Sequence, residues 1–389
     1  HLDRLTSMAN LASEYHKDGK FASAEKLREE LLQLRKKAIG EHHPDKLTSM
    51  ADLGSTYYAL EKLESAEKML EEVVVLLKKV IGEHHPDTLA SMANLGWTYH
   101  ELGKLDSAEK LKEEVVVLRK KIIGKHHPDT LTSMDSLAAT YHSLGKLESA
   151  EKLEEEVLVL RKKVIGEHHP DTLASMANLG WTYHELGKLN SAEKLLEEVA
   201  VLQKKIIGEH HPDRLISMAS LSTAYHSLGK SESAEKLEEE VLVLRKKVTG
   251  ENHPDTLASM ANLGWTYHEL GKFNSAEKLL EEVVVQVLQK KVIGEHHPHT
   301  LSFMAGLAAA YHSLGKWESA EKLEDEMLVL HKKVIGEHQD DTLTPMASLG
   351  STYYEDEELE SAEQLKKKVI ALPKKAIGEY HLDVLTTMK

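Results

Sequence analysis

Histidine is the residue type that could supply most chemistry in this sequence, with 25 among 389 residues. Adjacent pairs such as His42-His43 and His84-His85 offer imidazole groups, which bind transition metals. Neighbouring side chains point apart on an extended or helical chain, and no His-x3-His spacing accompanies the pairs. We therefore expect these histidines to serve in capping and linker packing, and we predict no metal and no cofactor.

Other catalytic patterns are weak in this sequence. The pair Gly103-Lys104 lacks the remainder of a phosphate-binding loop, and the run Glu154-Glu155-Glu156 has the spacing of a solvated helix face. The chain has no cysteine, which excludes thiolate chemistry and disulfides and fits a reducing compartment. A catalytic residue would occur once, whereas almost every candidate here recurs, so we predict that the protein is not an enzyme.

The candidate residues recur because the whole chain is periodic. The dipeptide His-Pro returns every 42 residues up to Pro254, and the last step, to Pro298, is 44 residues. A period of this size indicates a solenoid in which each unit packs on its neighbours. These dipeptides, which we call the His-Pro marks, are His43-Pro44, His85-Pro86, His127-Pro128, His169-Pro170, His211-Pro212, His253-Pro254 and His297-Pro298.

Each repeat predicts two helices. From Thr88 to Leu102 the apolar residues follow one helical face, Pro86 suits the first turn, and Gly103 suits a left-handed C-terminus. A second apolar face then runs to Ile122, and Asp106 with Glu109 has the spacing of a capping box. About two residues join the helices, so we expect antiparallel hairpins that stack.

These residues resemble a known repeat family. Leu95-Gly96-x-x-Tyr99, then Gly103-Lys104 and Ala108-Glu109, is similar to the tetratricopeptide repeat, with Met92 where many repeats carry Trp. The 42-residue length and the linker Ile-Gly-Glu-His-His-Pro resemble the kinesin-light-chain subfamily. That variety also occurs in nephrocystin-like proteins and C-terminal to the nucleotide-binding modules of STAND signalling ATPases. The resemblance implies an all-α, right-handed superhelical solenoid of stacked antiparallel hairpins.

We predict one repeat array over residues 1–389, and we expect it to be part of a longer protein. The seventh repeat is two residues longer than its neighbours, which predicts a π-type or bulged turn near Gln286. In the first helix of the repeat, Trp recurs only in every second repeat, at Trp97, Trp181 and Trp265, so the duplicated unit is about 84 residues. The hairpins are 3–43, 45–85, 87–127, 129–169, 171–211, 213–253, 255–297, 299–339 and 341–381, followed by a C-terminal stub.

The resemblance places part of each first helix on a concave, ligand-facing surface. An alternative for the tryptophans is a wedge role between hairpins, and the repeated histidines could instead reflect recent duplication alone. If the histidines line a groove, their protonation near pH 6.5 would make binding of acidic peptides pH-sensitive. The predicted partner-binding residues are Asn94, Trp97, His100, Glu101, His142, Asn178, Trp181, His184, Glu185, His226, Asn262, Trp265, His268, Glu269 and His312.

Composition narrows the partner. The net charge of −15 disfavours nucleic acid, and no apolar run approaches the roughly 18 residues of a membrane span. We therefore expect a cytoplasmic, non-enzymatic scaffold that binds a protein or peptide on its concave face. The alternatives are the sensor or autoinhibitory domain of a STAND-type signalling ATPase and a kinesin-light-chain-like cargo adaptor. End-to-end or other homo-oligomeric self-association is also expected, because truncated solenoid ends expose apolar surface.

Overall fold

The structure, a computed structural model, describes residues 2–290 and 298–335, and all regular secondary structure in these residues is α-helical. Odd-numbered helices are called first helices and even-numbered ones second helices, and hairpin 1 is α1 with α2. The helices are α1 (Leu2–Lys17), α2 (Phe21–Ile39), α3 (Pro44–Ala59), α4 (Leu63–Val80), α5 (Pro86–Glu101), α6 (Leu105–Ile122), α7 (Pro128–Ser143), α8 (Leu147–Val164), α9 (Pro170–Glu185), α10 (Leu189–Ile206), α11 (Pro212–Ser227), α12 (Ser231–Val248), α13 (Pro254–Glu269), α14 (Phe273–Lys290), α15 (Pro298–Ser313) and α16 (Trp317–Ile335).

The chain divides into two compact units, residues 1–195 and 196–389. In the first unit α3 packs on α4 and α4 on α5, while the first helices α3, α5 and α7 contact one another. In the second unit α13, α14 and α15 repeat this arrangement. Each unit is therefore a stack of antiparallel hairpins, and the predicted all-α solenoid fold is confirmed. The ninth predicted hairpin lies outside the described residues.

The His-Pro marks begin the first helices, as expected. At the start of α5, the Nδ1 atom of His85 accepts a hydrogen bond from the backbone N–H of Asp87 at 3.2 Å, and Pro86 occupies the first turn. The helix ends before Gly103, whose φ of 71° lies in the left-handed region that suits glycine. The capping role of these histidines recurs at His43, His127, His169, His211 and His253.

The predicted capping box of the second helix is wrong. The N-cap of α6 is Lys104, which makes no side-chain cap, and Asp106 lies inside the first turn. Gly103 turns the chain within two residues, so the helix begins before Asp106 can cap it. The backbone N–H groups of Ser107 and Ala108 donate to the Lys104 carbonyl instead.

The predicted bulge near Gln286 is also wrong, since α14 is continuous α-helix to Lys290. Its buried residues Leu280, Val283, Val284 and Val287 keep the spacing of Leu70, Val73, Val74 and Leu77 in α4. Regular α-helix therefore extends past Gln286 to Lys290.

Two polar ladders join successive hairpins. The hydroxyl of Tyr99 donates to Glu71 of the preceding hairpin at 2.7 Å, and Lys104 pairs with Glu67. Such solvent-screened contacts contribute about 0.2–1 kcal/mol each, so they fix register more than they stabilise. The equivalent tyrosine pairs are Tyr57–Glu29, Tyr141–Glu113, Tyr183–Glu155, Tyr225–Glu197, Tyr267–Glu239 and Tyr311–Glu281. The equivalent lysine pairs are Lys62–Glu25, Lys146–Glu109, Lys188–Glu151, Lys272–Glu235 and Lys316–Glu277.

Candidate partner-binding face

Four predicted residues follow one another along α5 at steps of one turn or less, beside the buried Leu95. They are Asn94, Trp97, His100 and Glu101. We call these four positions, with their equivalents in other first helices, the first-helix face. Within each unit the faces of neighbouring hairpins adjoin. The side-chain amide of Asn94, for example, donates to Ser55 Oγ of the preceding hairpin at 2.9 Å.

The tryptophans pack between neighbouring hairpins and are also partly exposed. A Cβ atom added to Gly306 would lie 3.0 Å from Cε2 of Trp265, so this indole packs on the next first helix. About a third of the side chain stays accessible, at 36% for Trp265 and 37% for Trp181. Trp97 is half-buried and shares a cleft with Ser136 of the next hairpin. The tryptophans therefore pack between hairpins without leaving the surface.

The residues at these contacts alternate in size with the same 84-residue period. Where a hairpin carries Trp, the next hairpin in the same unit has a small residue at the contact, as in Trp97 with Ser136 and Trp265 with Gly306. Where a hairpin carries the small Ser55, the next supplies the larger Asn94. Alternate hairpins are thus complementary in size.

Three histidines of the face pair with buried carboxylates. His142 Nδ1 lies 2.8 Å from Glu185 and its Nε2 lies 3.5 Å from Glu154 and 2.7 Å from Thr182. Hydrogen bonding to Glu154 raises the pKa of His142 above its usual value, against the opposing effect of burial. His226 has the same environment, with Glu238 and Glu269, and His312 Nε2 lies 3.0 Å from Glu324.

His100 has the opposite environment. Burial lowers its pKa and the nearby ammonium of Lys112 lowers it further. His16, beside Arg28, shifts in the same direction for the same two reasons. His142 and His100 therefore have pKa values shifted in opposite directions. The predicted pH-sensitive binding of acidic peptides stays a prediction.

The remaining predicted residues are two half-buried histidines and several exposed polar side chains. His184 stacks on Trp181 with ring centroids 5.2 Å apart, and half-buried His268 lies 2.7 Å from Ser313 Oγ through Nε2. The exposed polar residues of the face are Glu101, Glu185, Glu269, Asn178 and Asn262.

Sequence reasoning missed a column of buried side chains on the second helices. Each lies at the same position of its repeat and at most 8% of it is exposed, although five carry a charge. The signal in the sequence is variation at one position where the surrounding repeat is nearly constant. The column consists of Arg28, Leu70, Lys112, Glu154, Leu196, Glu238, Leu280 and Glu324.

The charged members of this column form hydrogen bonds with side chains of the first helices. Lys112 donates to Thr140 Oγ1 of the next hairpin at 2.9 Å, and Thr182 donates to Glu154. Where the column residue is a leucine, the first helix that faces it needs a glycine. A Cβ atom at Gly54, for example, would lie 2.8 Å from the side chain of Leu70. The column therefore sets which first helix can pack on each second helix.

Residues 2–290 and 298–335 contain neither a candidate metal site nor a candidate membrane span. No group of three or more His, Asp or Glu side chains there could hold a metal ion. No helix in the same residues is long and apolar enough to cross a membrane.

Comparison with known families agrees with the geometry. Two family models match the chain, and each is described as tetratricopeptide repeat. The first matches residues 3–79, 239–284 and 300–375. The second matches residues 88–129, 130–171, 172–213 and 214–255. The chain belongs to the tetratricopeptide repeat family. The resemblance inferred from Leu95-Gly96, Tyr99 and Gly103-Lys104 is confirmed.

Several solved structures are similar over large parts of the chain. Repeats of a kinesin light chain of Podosopora anserina are 33% identical, with coverage of 53% of this chain and 98% of that one and a TM-score of 0.49. The STAND protein PH0952 of Pyrococcus horikoshii, which has a tetratricopeptide repeat sensor, is 13% identical, with coverage of 94% and 54% and a TM-score of 0.59. The apo quorum sensor NprR of B. thuringiensis is 14% identical, with coverage of 98% and 99% and a TM-score of 0.59. A search of curated proteins finds no match.

Proposed function

We propose that this chain is a non-enzymatic scaffold that binds a peptide or protein partner on its first-helix face. The main supporting observation is that about a third of Trp181 and of Trp265 is exposed, whereas the other large apolar side chains of their helices are buried. Partly exposed aromatic residues are frequent anchors of protein interfaces because they bury much area for little lost side-chain entropy. Membership of the tetratricopeptide repeat family supports a role in protein interaction.

The polar part of the face specifies the partner further. Glu101, Glu185 and Glu269 are exposed beside the tryptophans, and the whole chain carries a net charge of −15. Basic side chains of a partner would complement these carboxylates. The exposed amides of Asn178 and Asn262 would bond to the partner's backbone. The face is predicted to be concave, and the nine hairpins to form one array.

A sensor domain within a larger signalling protein is the second candidate function. The Pyrococcus protein uses such repeats as its sensor, and this chain spans about half of that protein's length. A nucleotide-binding module in the same natural polypeptide would favour this candidate over a free-standing scaffold.

The test is capture of a partner by the wild-type chain and by a variant with Trp97, Trp181 and Trp265 changed to Ala. The matched control changes Val117, Val159 and Val243, exposed on second helices, to Ala. We expect the tryptophan variant to lose a partner that the valine variant keeps, with unchanged helicity by circular dichroism. A partner kept by the tryptophan variant and lost by the valine variant would refute the proposal.

A further inference from the structure

The exposed glutamates of the first-helix face lie against ring side chains of the preceding hairpin. Glu101 faces Tyr58, where burial, the negative charge of Glu101 and a hydrogen bond to it raise the pKa of the phenol. Glu185 faces His142, with 2.8 Å between its Oε2 atom and the ring atom Nδ1. A phenol is neutral near pH 7, whereas an imidazole gains or loses a proton close to that pH. These two glutamates are therefore held by groups of different acid–base behaviour.

The hydrogen bonds of His142 require a proton on both ring nitrogens. Its Nε2 atom lies 2.7 Å from Thr182 Oγ1. Thr182 directs its single hydroxyl hydrogen at the Glu154 carboxylate or at the Asn178 carbonyl, so toward the ring its oxygen can only accept. Nδ1 faces the carboxylate of Glu185, which also only accepts. A ring that donates from both nitrogens is the charged imidazolium.

Two carboxylates from neighbouring helices face this ring. Glu154 of α8 lies 3.5 Å from Nε2, and Glu185 of α9 lies 2.8 Å from Nδ1. Hydrogen bonding to Glu154 is the main cause that raises the pKa of His142, and Glu185 adds to it, against the opposing effect of burial. The surrounding charges therefore favour the same protonated state that the hydrogen bonds require.

Other charged groups near His142 are bonded to different partners. On α7 itself, Asp135 pairs with Arg161. From the preceding hairpin, Lys112 donates to a hydroxyl group of α7, and His100 lies within hydrogen-bond distance of the same hydroxyl. The charge of the His142 ring is therefore balanced by the two carboxylates on α8 and α9.

These two carboxylates differ in how far a partner could reach them. The side chain of Glu154 is 7% exposed, whereas that of Glu185 is 34% exposed and follows the exposed Trp181 by one turn. When the ring loses one proton it keeps a single N–H, which Thr182 and Glu154 retain at Nε2, so Nδ1 turns a lone pair toward Glu185. The hydrogen bond that is lost on deprotonation is therefore the accessible one.

We propose that the proton on His142 controls the availability of Glu185 to a basic side chain of the partner. The charged ring holds this carboxylate on the array, and the neutral ring leaves it to the partner. The proposal deepens the proposed function, on which it rests, by adding regulation of the same face. The same contacts recur in the second unit between His226 and Glu269.

Binding and protonation are then linked. A partner cation that pairs with Glu185 takes one carboxylate from the imidazolium, so His142 releases its proton more readily in the complex than in the free chain. Conversely, the affinity for a basic partner rises as the pH rises through the titration of His142. Glu101 shows no such trend, because its neighbour Tyr58 stays neutral over this range.

The first test needs no partner. Histidine ring NMR of the full chain, with His142→Gln to assign the signal, should show that Glu185→Gln lowers the pKa of His142. The matched control Glu101→Gln removes an equivalent exposed carboxylate and should leave this pKa unchanged. Both glutamates are exposed, so we expect the variants to fold, which circular dichroism checks. A His142 pKa that does not move in Glu185→Gln would overturn the proposal.

The second test uses Nα-acetyl-arginine amide, a basic side chain without a carboxylate, at constant ionic strength. Its binding near Glu185 is followed through the indole N–H signal of Trp181, which Trp181→Phe identifies. Between about pH 5.5 and about pH 8.5 the affinity should rise about two- to fivefold more in the wild type than in His142→Gln, as suits a partly exposed ion pair. The control His126→Gln, which changes an exposed linker histidine, should keep the wild-type pH dependence.

An equal pH dependence in the wild type and in His142→Gln would also refute the proposal. Both tests are independent of the capture experiment. Coupling of His142 to Glu185 without a captured partner would remove the scaffold proposal and leave the proton-controlled carboxylate standing. A captured partner without this coupling would leave the scaffold standing and remove its regulation by pH.

Discussion

Replacing Gly264 by Ala should destabilise the second unit, although helix propensity alone favours alanine by about 1 kcal/mol. A Cβ atom at Gly264 would lie 2.7 Å from Cγ and 2.8 Å from Cδ2 of Leu280, where ordinary contacts begin at 3.4 Å. One side must therefore move by about 0.7 Å. Leu280 is fully buried, so any movement of its side chain takes place within the packed core.

Overpacking of this kind costs about 1–3 kcal/mol. After the gain in propensity we expect a net loss of up to about 2 kcal/mol in the free energy of unfolding. The assay is guanidinium unfolding followed by circular dichroism, with hydrogen exchange of α13 and α14 to localise the effect. The control Ala308→Gly, at the equivalent position of α15, should lose the propensity difference of about 1 kcal/mol and about 0.8 kcal/mol for its buried methyl group, with no steric clash.

A double-mutant cycle separates the two contributions. Leu280→Ala alone should cost about 2–5 kcal/mol, and it should cost less in the Gly264→Ala background because the clash is gone. A Gly264→Ala variant that gains about 1 kcal/mol, with unchanged exchange in α13 and α14, would show that propensity decides and that the glycine is not required by packing.

Two further outcomes follow from the charged groups. Histidine ring NMR should give His142 a pKa above 6.5 and His100 a pKa below it. The stabilisation from His142 is complete below pH 6.5 and is lost as the pH rises through its raised pKa. His100 has a lowered pKa, so the protein loses stability as the pH falls from 6.5. Asp135→Ala should lower the free energy of unfolding by about 3 kcal/mol in a urea titration because it leaves Arg161 buried without a carboxylate, and adding Arg161→Leu should recover most of that loss.

Much of the fold was predictable because its determinants are local and recur. Pro86 starts a helix and Gly103 ends one through their own backbone preferences, and His85 caps the helix that follows it by one residue. Repetition then supplies the same evidence several times over the described residues. The capping box at Asp106 failed because a spacing rule cannot determine at which residue the tight turn after Gly103 lets the helix begin.

The surroundings of the candidate site were less predictable because they arise between hairpins. Asn94 bonds to Ser55, 39 positions away, and His142 bonds to Glu185, 43 positions away. No single repeat contains both members of either pair. Lys112 is also inconspicuous in the sequence, since it stands among other lysines and glutamates of an apparently solvated helix, and only the stacking of α7 on α6 buries it.

The alternation of hairpins makes a last prediction about which deletions the array tolerates. Deleting residues 86–169 removes two hairpins and leaves Ser55 opposite Asn178, the same pairing as Ser55 with Asn94. Deleting only residues 128–169 removes one hairpin and leaves Trp97 opposite Asn178, where Ser136 now lies. The larger residue overpacks that contact at about 1–3 kcal/mol.

Shorter repeat arrays are ordinarily less stable, because each hairpin adds its own interface. Size complementarity predicts the reverse order here: the 84-residue deletion should unfold at a higher guanidinium concentration than the 42-residue deletion, although it is the shorter chain. Changing Asn178 to Ser in the 42-residue deletion should restore most of the difference, because it recreates the pairing of Trp97 with serine. If the two deletions instead rank by length, the alternation carries no packing constraint and is a trace of duplication alone.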